Sequence, residues 1–229
     1  MTSLKNLQIT AALFGMIGAL GCSGMSQGGS RTPVEPAQAG AGNAAGIATA
    51  RVDSLRRPYT AADIHFMSAM IGHHSQAVVV AGWAPTHGAS PEILRLAERI
   101  VNGQQDEIGI MKLWLTDRRQ PVPAAGATTM QMNMNGMTHE MAMPGMLSEA
   151  QLRQLDGARA EAFDRLFLTL MIQHHRGAVS MVKDLFGSYG AGQDETVFKF
   201  ASDVNVDQLT EISRMEKMLA SLVLGIPFP

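Results

Sequence analysis

The sequence predicts an all-α protein, a four-helix bundle made of two duplicated helical hairpins. In four segments, apolar residues recur every three or four positions, which is the period of an amphipathic helix. These segments are rich in Ala, Leu, Met and Gln and poor in Tyr, Trp and Thr, a composition that favours helix over strand. Two of the segments repeat the other two, and paired helical hairpins most simply form a four-helix bundle.

The two hairpins carry the same residues at the same spacing. The pattern Asp-x-x-Phe-x-x-x-Met-Ile-x-His-His-x-x-Ala occurs at residues 63–77 and again at 164–178. A second pattern, Gln-x-x-Glu-Ile-x-x-Met-x-x-x-Leu, occurs at 104–115 and again at 208–219. Chance similarity between apolar helices would not reproduce both patterns, so the sequence indicates an internal duplication.

The first hairpin contains clear helix start and stop signals. Thr60 followed by Asp63 resembles a capping box, which predicts a helix start. Residues 82–89 contain Gly, Pro and His and interrupt the helical period. Ser90 and Pro91 then provide an N-cap and a first-turn proline for the second helix.

The second hairpin has equivalent signals and one addition. A short extra helix is predicted from Ser148, because Gln151 completes a capping-box pattern. Residues 187–192 form the predicted turn between the two long helices, and Asp194 takes the N-cap place that Ser90 has in the first hairpin.

Two segments lack the helical period. One is rich in Gly, Ser, Ala, Pro and Gln, which predicts a flexible tether. The other is a low-complexity linker rich in Met, Asn, Gly and Pro, for which no sheet is expected. The predicted organisation is a signal segment at 1–22, the tether at 23–55, the first hairpin at 56–116, the Met-rich linker at 117–147 and the second hairpin at 148–225 of the same bundle.

The N-terminus predicts export. Lys5 precedes an apolar run at 11–20 that is too short to span a bilayer but suits a secretory signal. The run ends in Gly21-Cys22, which resembles a bacterial lipoprotein cleavage box. We therefore expect a protein of the periplasm or cell envelope with a lipid on Cys22. The alternative is an ordinary signal peptide cut nearby, which leaves a free cysteine.

Candidate metal ligands share one stripe of each helix. In the first helix of each hairpin, an Asp, a Met and the second His are spaced i, i+7 and i+11, and this spacing aligns them. In the second helix a Glu and a Met align in the same way. The first His of each pair points about 100° away, toward a neighbouring helix or the solvent. The candidates are Asp63, Met70, His73, His74, Glu107 and Met111 in the first copy and Asp164, Met171, His174, His175, Glu211 and Met215 in the second.

Inward His, Met and carboxylate side chains on facing helices suit a metal ion. Imidazole binds copper, zinc, iron and nickel, thioether sulfur favours Cu(I), and a carboxylate either binds or orients a His ring. The plainer interpretation makes the four methionines ordinary core residues and Asp63 a helix cap. Because imidazole must be neutral to bind, affinity at the helices is expected to fall as pH drops through about 6.5.

The Met-rich linker predicts a second, softer site. Seven methionines flank one histidine within seventeen residues, and thioethers on a flexible chain suit Cu(I) or Ag(I). The alternative is a low-complexity connection, although Met is an unusual choice there because it is apolar and oxidisable. The predicted linker ligands are Met130, Met132, Met134, Met137, His139, Met141, Met143 and Met146.

Other functions find little support. The net charge of −2 gives no basic surface for nucleic acid. The single cysteine belongs to the export signal, and the chain lacks the Glu-x-x-His pairs of di-iron bundles, a His-Glu-x-x-His motif and a phosphate-binding Gly loop. We therefore expect no enzyme activity. His65 and His87 have no counterparts in the other repeat and are expected at the surface.

Residues 60–219 resemble the family called domain of unknown function 305. Its hallmark is similar to Phe-x-x-x-Met-Ile-x-His-His-x-x-Ala-x-x-Met followed by Gln-x-x-Glu-Ile-x-x-Met. Both copies match, except that Val80 stands where Met181 completes the second motif. The resemblance implies a ferritin-like four-helix bundle and, as in some periplasmic members, copper binding linked to copper resistance. If Met181 is a ligand, the first copy lacks one thioether and is the weaker site.

These observations predict an exported protein that binds copper and sequesters or delivers it in metal tolerance. Cu(I) and Cu(II) are the expected ions, with Ag(I) as a further candidate. The predicted partners are the metal ion and, through the lipid, the membrane, while a protein partner and the oligomeric state stay open. Two alternatives remain: a ferritin-like oxidase acting on Fe(II) or Cu(I), and a metal-free helical interaction module.

The lipoprotein box generates the first prediction. Mass spectrometry of the native protein is expected to show an N-terminus at Cys22 that carries several acyl chains, because one chain alone anchors weakly. The variant Cys22→Ser is expected to lose the lipid and leave the membrane fraction. An unmodified N-terminus at another residue, in a soluble periplasmic fraction, would refute attachment and leave export standing.

Overall fold

The computed structural model describes residues 58–124, 129–134 and 137–227, with the backbone alone for 129–134 and 137–142. Four long helices make up most of this part of the chain. The elements are α1 (Ala61–Ala81), a 3-10 turn (Ala84–Thr86), α2 (Pro91–Asp117), β1 (Thr129–Met134), β2 (Met137–Ala142), α3 (Glu149–Gly157), α4 (Ala160–Gly187) and α5 (Glu195–Leu224).

The predicted signal segment, tether and Cys22 lie outside the described residues, so these remain predictions. Within the described ranges, no helix combines the length and the apolar character that crossing a bilayer requires.

Four of the five described helices start where the sequence predicts, while α4 begins at Ala160 after Arg159, which makes no side-chain cap. Thr60 and Ser148 each head a complete capping box, in which backbone and side chain exchange hydrogen bonds with the residue three positions later. The Ser90 side chain accepts from the backbone N–H of Ile93 at the start of α2. Asp194 accepts from the first N–H groups of α5.

The all-α class is confirmed, but the expectation of no sheet is wrong. β1 and β2 form a two-stranded antiparallel ribbon within the Met-rich linker. The missed signal is Asn135-Gly136 between two alternating Met-x-Met and Met-x-His runs, since Asn-Gly is a strong hairpin indicator. The compositional bias of the segment concealed its period of two.

The two hairpins meet through α1 and α4, which run antiparallel. Two apolar clusters fill the interior: the Phe163 cluster, which includes Ile93 and Met215, and the Phe66 cluster, which includes Trp114 and Val197. Along α1 the chain passes from the Phe66 cluster to the Phe163 cluster, and along α4 it passes in the opposite order. On each long helix, the polar residues of the repeated patterns separate the part that packs in one cluster from the part that packs in the other.

Six buried polar residues therefore lie between the clusters, and we call them the polar layer. They come from all four long helices, two from α1, one from α2, two from α4 and one from α5. The members are His73, His74, Gln104, His174, His175 and Gln208.

Two aspartates tie each hairpin to the turn of the other. Asp63 in α1 accepts from the backbone N–H of Gly192, in the α4–α5 turn, at 2.7 Å. Asp164 in α4 accepts from the backbone N–H of Ser90, in the α1–α2 turn, at 3.2 and 3.3 Å. This reciprocal arrangement gives the repeated aspartate a structural role, because each carboxylate satisfies an otherwise free backbone donor of the opposite hairpin.

The end of the linker, residues 143–147, packs closely against α1 and α4. Gln76 in α1 both accepts from the N–H of Leu147 at 2.8 Å and donates to its carbonyl at 3.0 Å. In α4, Gly177 lies so near this segment that an added Cβ would overlap the Pro144 carbonyl, and one added to Gly145 would come within 2.7 Å of the Gly177 Cα. Glycine at 177 is therefore required by packing.

This contact generates a stability prediction. Gly177→Ala is expected to lower the free energy of unfolding by about 1–3 kcal/mol, because the 143–147 segment must move to admit the methyl group. Gly187→Ala in the same helix is the matched control, since nothing lies within 4 Å of its added Cβ. Urea unfolding followed by circular dichroism measures both. Equal stability of the two variants would contradict the close approach.

Candidate metal centre

All four paired histidines are buried, with at most 1% of each residue exposed. Of the two alternatives for the first His of each pair, the neighbouring helix is the one found, and neither ring faces the solvent. The reason lies in the hairpin interface: the face of α1 that carries His73 packs against α4, and the equivalent face of α4 packs against α1. Both directions available to a His-His pair therefore point into protein.

His73 and His174 meet at the centre of the interface. Their ring centroids are 3.8 Å apart, with the ring planes inclined at 38°. His73 Nε2 lies 3.0 Å from the carbonyl oxygen of Pro144, to which it donates in the matching tautomer. Nδ1 of His73 and both ring nitrogens of His174 are buried without a hydrogen-bond partner. Such groups are costly to bury unless something pairs with them.

Burial keeps these two rings neutral. Desolvation, with a smaller contribution from the neighbouring His74, lowers the pKa of His73 from 6.5 to about 3. Desolvation and the nearby His73 hold the pKa of His174 well below its usual value. The expected loss of affinity through pH 6.5 therefore does not apply to these two residues, because protons already fail to compete for their nitrogens at that pH.

The outer histidine of each pair contacts a glutamate of the partner helix. His74 Nε2 lies 2.8 Å from a carboxylate oxygen of Glu107, at an angle that leaves the nitrogen without a proper hydrogen bond. His175 Nε2 lies 2.6 Å from a carboxylate oxygen of Glu211. The histidines are fully buried, whereas the two glutamates are 18% and 26% exposed at the edge of the polar layer.

The predicted helical methionines flank the polar layer within the apolar clusters. Met70, Met111 and Met181 belong to the Phe66 cluster, and Met171 and Met215 belong to the Phe163 cluster. Met70 and Met171 stand one helical turn before His74 and His175, about 6 Å along the axis, so these residues are next to the layer on their helices. They pack as core residues, and their position also allows a thioether to approach an ion held by the histidines.

Asp63 and Asp164 lie away from the histidines. Eleven residues separate each from His74 or His175, which is about 16 Å along a helix. Both carboxylates already accept structural hydrogen bonds. We correct the candidate ligand set by removing them, since one ion cannot contact groups that far apart.

The linker ligands fall into two groups. Met143 is buried in the Phe66 cluster, and Met146 packs partly buried against it. For the ribbon the strand register pairs Met130 with Met141, Met132 with His139 and Met134 with Met137, while the side chains of these six residues lie outside the described part.

Two glutamines and an aspartate complete the site, and sequence reasoning missed their contribution. Gln104 and Gln208 are buried, and Gln104 Oε1 and Nε2 and Gln208 Oε1 have no hydrogen-bond partner. They line a cleft of about 260 Å³ between α2 and α5, together with Glu107, Asp207 and Glu211. The signal was available, because both glutamines recur in the repeat three residues before the glutamates.

His87 is a further correction. It is buried rather than at the surface, its ring stacks on Trp83, and its Nε2 lies 3.1 Å from the Asp156 carbonyl. It anchors α3 to the turn after α1 and stands apart from the polar layer.

The polar layer offers donors without forming a closed cage. Among the described residues, no three His, Cys, Asp or Glu side chains come together as a preassembled ion site. What the layer does offer is neutral imidazole nitrogens, two glutamate carboxylates and bordering thioethers, a donor set that suits copper or silver. The unpartnered ring nitrogens fit a ligand, because a bound ion would supply the partner that they lack.

The chain belongs to the family described as domain of unknown function (DUF305), which matches residues 63–219. No curated protein matches the sequence. A DUF305 protein of Streptomyces coelicolor, provisionally designated as secreted, is 26% identical with a TM-score of 0.59, covering 73% of this chain and 96% of that one. A DUF305 fragment from Deinococcus radiodurans is 27% identical with a TM-score of 0.59, covering 72% and 99%.

A third similar structure, CopM, has been solved with metal bound. Its Cu(I)-bound form is 28% identical to this chain with a TM-score of 0.52, covering 72% of this chain and 98% of that one. CopM has also been solved in Cu(II)-bound, Ag-bound and apo forms. A protein that has been solved with copper and with silver is therefore similar to this chain in sequence and fold.

The buried neutral imidazoles generate a pH prediction for the metal-free protein. The folded pKa values of His73 and His174 lie below 6.5, so the unfolded chain binds protons that the folded chain rejects. Stability is therefore fully present above pH 6.5 and falls as pH drops toward 3. Between pH 7 and 5.5, His73 is expected to remove about 1 kcal/mol from the free energy of unfolding, and His174 lowers it further in the same direction.

Urea unfolding at the two pH values measures this loss. A His73→Gln/His174→Gln variant is the comparison, because its amides do not titrate and its free energy of unfolding is expected to fall less over that range, by about 1 kcal/mol or more. The same pH dependence in parent and variant would show that other groups cause the acid sensitivity.

Proposed function

We propose that this protein binds copper, as Cu(I) or Cu(II), and also Ag(I), and that it sequesters or delivers the ion in the cell envelope. The observation that supports this most directly is the set of buried imidazole nitrogens without partners at the hairpin interface. The similarity to CopM, solved with copper and silver, indicates which ions to test first.

For the helical site, the proposed ligands are His73, His74, His174 and His175, with Glu107 and Glu211 as oxygen donors. Mixed imidazole and carboxylate donors suit Cu(II). With an ion bound, each glutamate has one of two functions. It binds the ion directly, or it holds the ring of His74 or His175 in the tautomer that binds the ion. Met70, Met111, Met171, Met181 and Met215 supply thioethers at the border that favour Cu(I).

For the linker, the proposal rests on the ribbon register. Residues two apart in a strand share a face, and directly opposed residues share it too, so all six paired positions from Met130 to Met141 belong to one face. Five methionines and His139 on one face form a soft donor set for Cu(I) or Ag(I). Met143 and Met146, next along the chain, connect this set to the interior beside His73.

We propose binding without turnover. The carboxylates at the polar layer come from Gln-x-x-Glu, and no Glu-x-x-His supplies the bridging ligands that an oxygen-activating di-iron pair uses. Oxygen consumption after addition of Fe(II) or Cu(I) distinguishes the proposal from an oxidase. Sustained consumption over many equivalents would favour the oxidase.

The division between the two sites can be tested with substitutions that preserve the fold. A four-His variant, with His73, His74, His174 and His175 changed to Gln, is expected to lose most Cu(II) binding at pH 7, because its imidazole donors are gone. A linker variant with the five ribbon methionines changed to Leu and His139 to Asn is expected to lose Cu(I) and Ag(I) equivalents and to keep Cu(II). Calorimetric titration, with Cu(I) buffered by a chelator, measures each stoichiometry.

His65→Gln is the matched control for the four-His variant, since His65 lies on α1 outside the polar layer. Circular dichroism confirms that each variant remains helical. Cu(II) binding by the four-His variant at parental affinity would refute the helical site. Unchanged Cu(I) stoichiometry in the linker variant would show that the linker is only a connection.

A further inference from the structure

We propose that the cleft between α2 and α5 is the route by which the ion reaches His74 and His175, with Asp207 attracting it. This inference rests on the proposed function and concerns access to the same site.

The polar layer is closed on its linker side. The 143–147 segment covers His73, whose Nε2 contacts the Pro144 carbonyl. Gly145 and Gly177 bring this segment so close to α4 that no side chain fits between them. Gln76 fixes the far end through both of its amide atoms. An ion arriving from this side would have to displace the whole segment.

The opposite side is open. A cleft of about 260 Å³ separates α2 from α5, and the helix positions that line it include Gly103, Gln104 and Glu107 on one wall and Asp207, Gln208 and Glu211 on the other. Glu107 and Glu211 are each partly exposed there, and each contacts a buried histidine through one carboxylate oxygen. None of the described histidines lines the cleft itself, but each glutamate joins the cleft to one buried histidine.

The buried glutamines supply the second observation. Gln104 and Gln208 line the cleft, and each has an amide oxygen with no hydrogen-bond partner although at most 3% of either residue is exposed. Unpartnered oxygens at this depth are costly. An ion that sheds water as it passes would be met by these oxygens, so they compensate its partial dehydration before imidazole binds.

The charge of the cleft favours a cation. Three carboxylates, of Glu107, Asp207 and Glu211, line it against two guanidinium groups, of Arg99 and Arg214. Burial first, and then the nearby Glu107 and Glu211, raise the pKa of Asp207, consistent with the three carboxylates lining one cleft. The carboxylates outnumber the guanidinium groups by one, and an excess of negative charge in a cleft attracts cations and speeds their association.

The duplication provides a matched pair of positions. Asp207 lies just before Gln208, and the equivalent position before Gln104 is Gly103. An added Cβ at Gly103 meets nothing within 4 Å, so side chains there extend into the open cleft. A large side chain at Gly103 should therefore block the route. Asp207→Asn removes the negative charge, and Gly103→Asp adds a second one at the equivalent position.

The first experiment tests the route. Stopped-flow mixing of the full chain with Cu(II) at pH 7.5, followed by fluorescence quenching, gives the association rate, and excess chelator gives the dissociation rate. Gly103→Leu is expected to slow both by roughly tenfold and leave the dissociation constant nearly unchanged, because a plug changes the path and not the end states. Gly109→Leu is the control, on the same helix, with open space and outside the cleft lining.

The second experiment tests the charge. Asp207→Asn is expected to lower the association rate roughly threefold in dilute buffer, and Gly103→Asp to raise it by a similar factor. Both differences should vanish near 1 M salt, where the screening length is about 3 Å. A merely structural role of Asp207 would not depend on salt in this way.

The outcomes separate the two proposals. Parental rates in Gly103→Leu would overturn the cleft as the route and leave copper binding standing. Slowing in Gly109→Leu equal to that in Gly103→Leu would overturn it as well. If the parent and the four-His variant bind Cu(II) alike, the helical site fails, and the access route fails with it.

Discussion

The structure depends on burying four imidazoles between two hairpins. A helix can carry adjacent histidines with both rings shielded only where two of its faces are covered, so α1 and α4 must pack on each other and on their own hairpin partners. The polar layer divides the interior into the Phe66 and Phe163 clusters, and each cluster takes residues from both hairpins. The free-energy cost of burying ring nitrogens without partners is offset by the burial of apolar side chains in the two clusters. A bound ion would reduce it, which couples metal binding to stability.

Duplication places equivalent groups around the polar layer. Where the two repeats differ, the two sides of the layer differ as well. Asp63 and Asp164 each accept a hydrogen bond from a backbone N–H in the turn of the opposite hairpin, so each repeat holds the turn of the other. The 143–147 segment has no counterpart in the first repeat and covers one side of the layer. Asp207 has only Gly103 as its equivalent, on the opposite side. The polar layer, built from two equivalent hairpins, is thus covered on the side of the 143–147 segment and open on the side of Asp207.

Sequence patterns predicted the helices well, because caps and a period of 3.6 are local properties. The patterns failed where a repeated or biased set of residues has more than one possible structural cause. Asp63 and Asp164 matched a ligand stripe, yet their repetition reflects hydrogen bonds across the hairpin interface. His87 looked like a surface residue because it has no repeat partner, although it packs between Trp83 and Phe163. The ribbon was overlooked because a Met-rich composition was taken as lack of structure.

By itself, the sequence determined the all-α class, the duplication, the helix starts and the donor types, since these follow from spacing and chemistry along one chain. Only the tertiary structure decided which donors meet. It buried both rings of each His pair, lowered the pKa of His73 and His174 through desolvation, and placed Asp63 and Asp164 against the turn of the opposite hairpin. It also opened a cleft at Gln104 and Gln208. Those outcomes depend on how α1 packs against α4 and how far α2 stands from α5, distances between chain segments that no local pattern encodes.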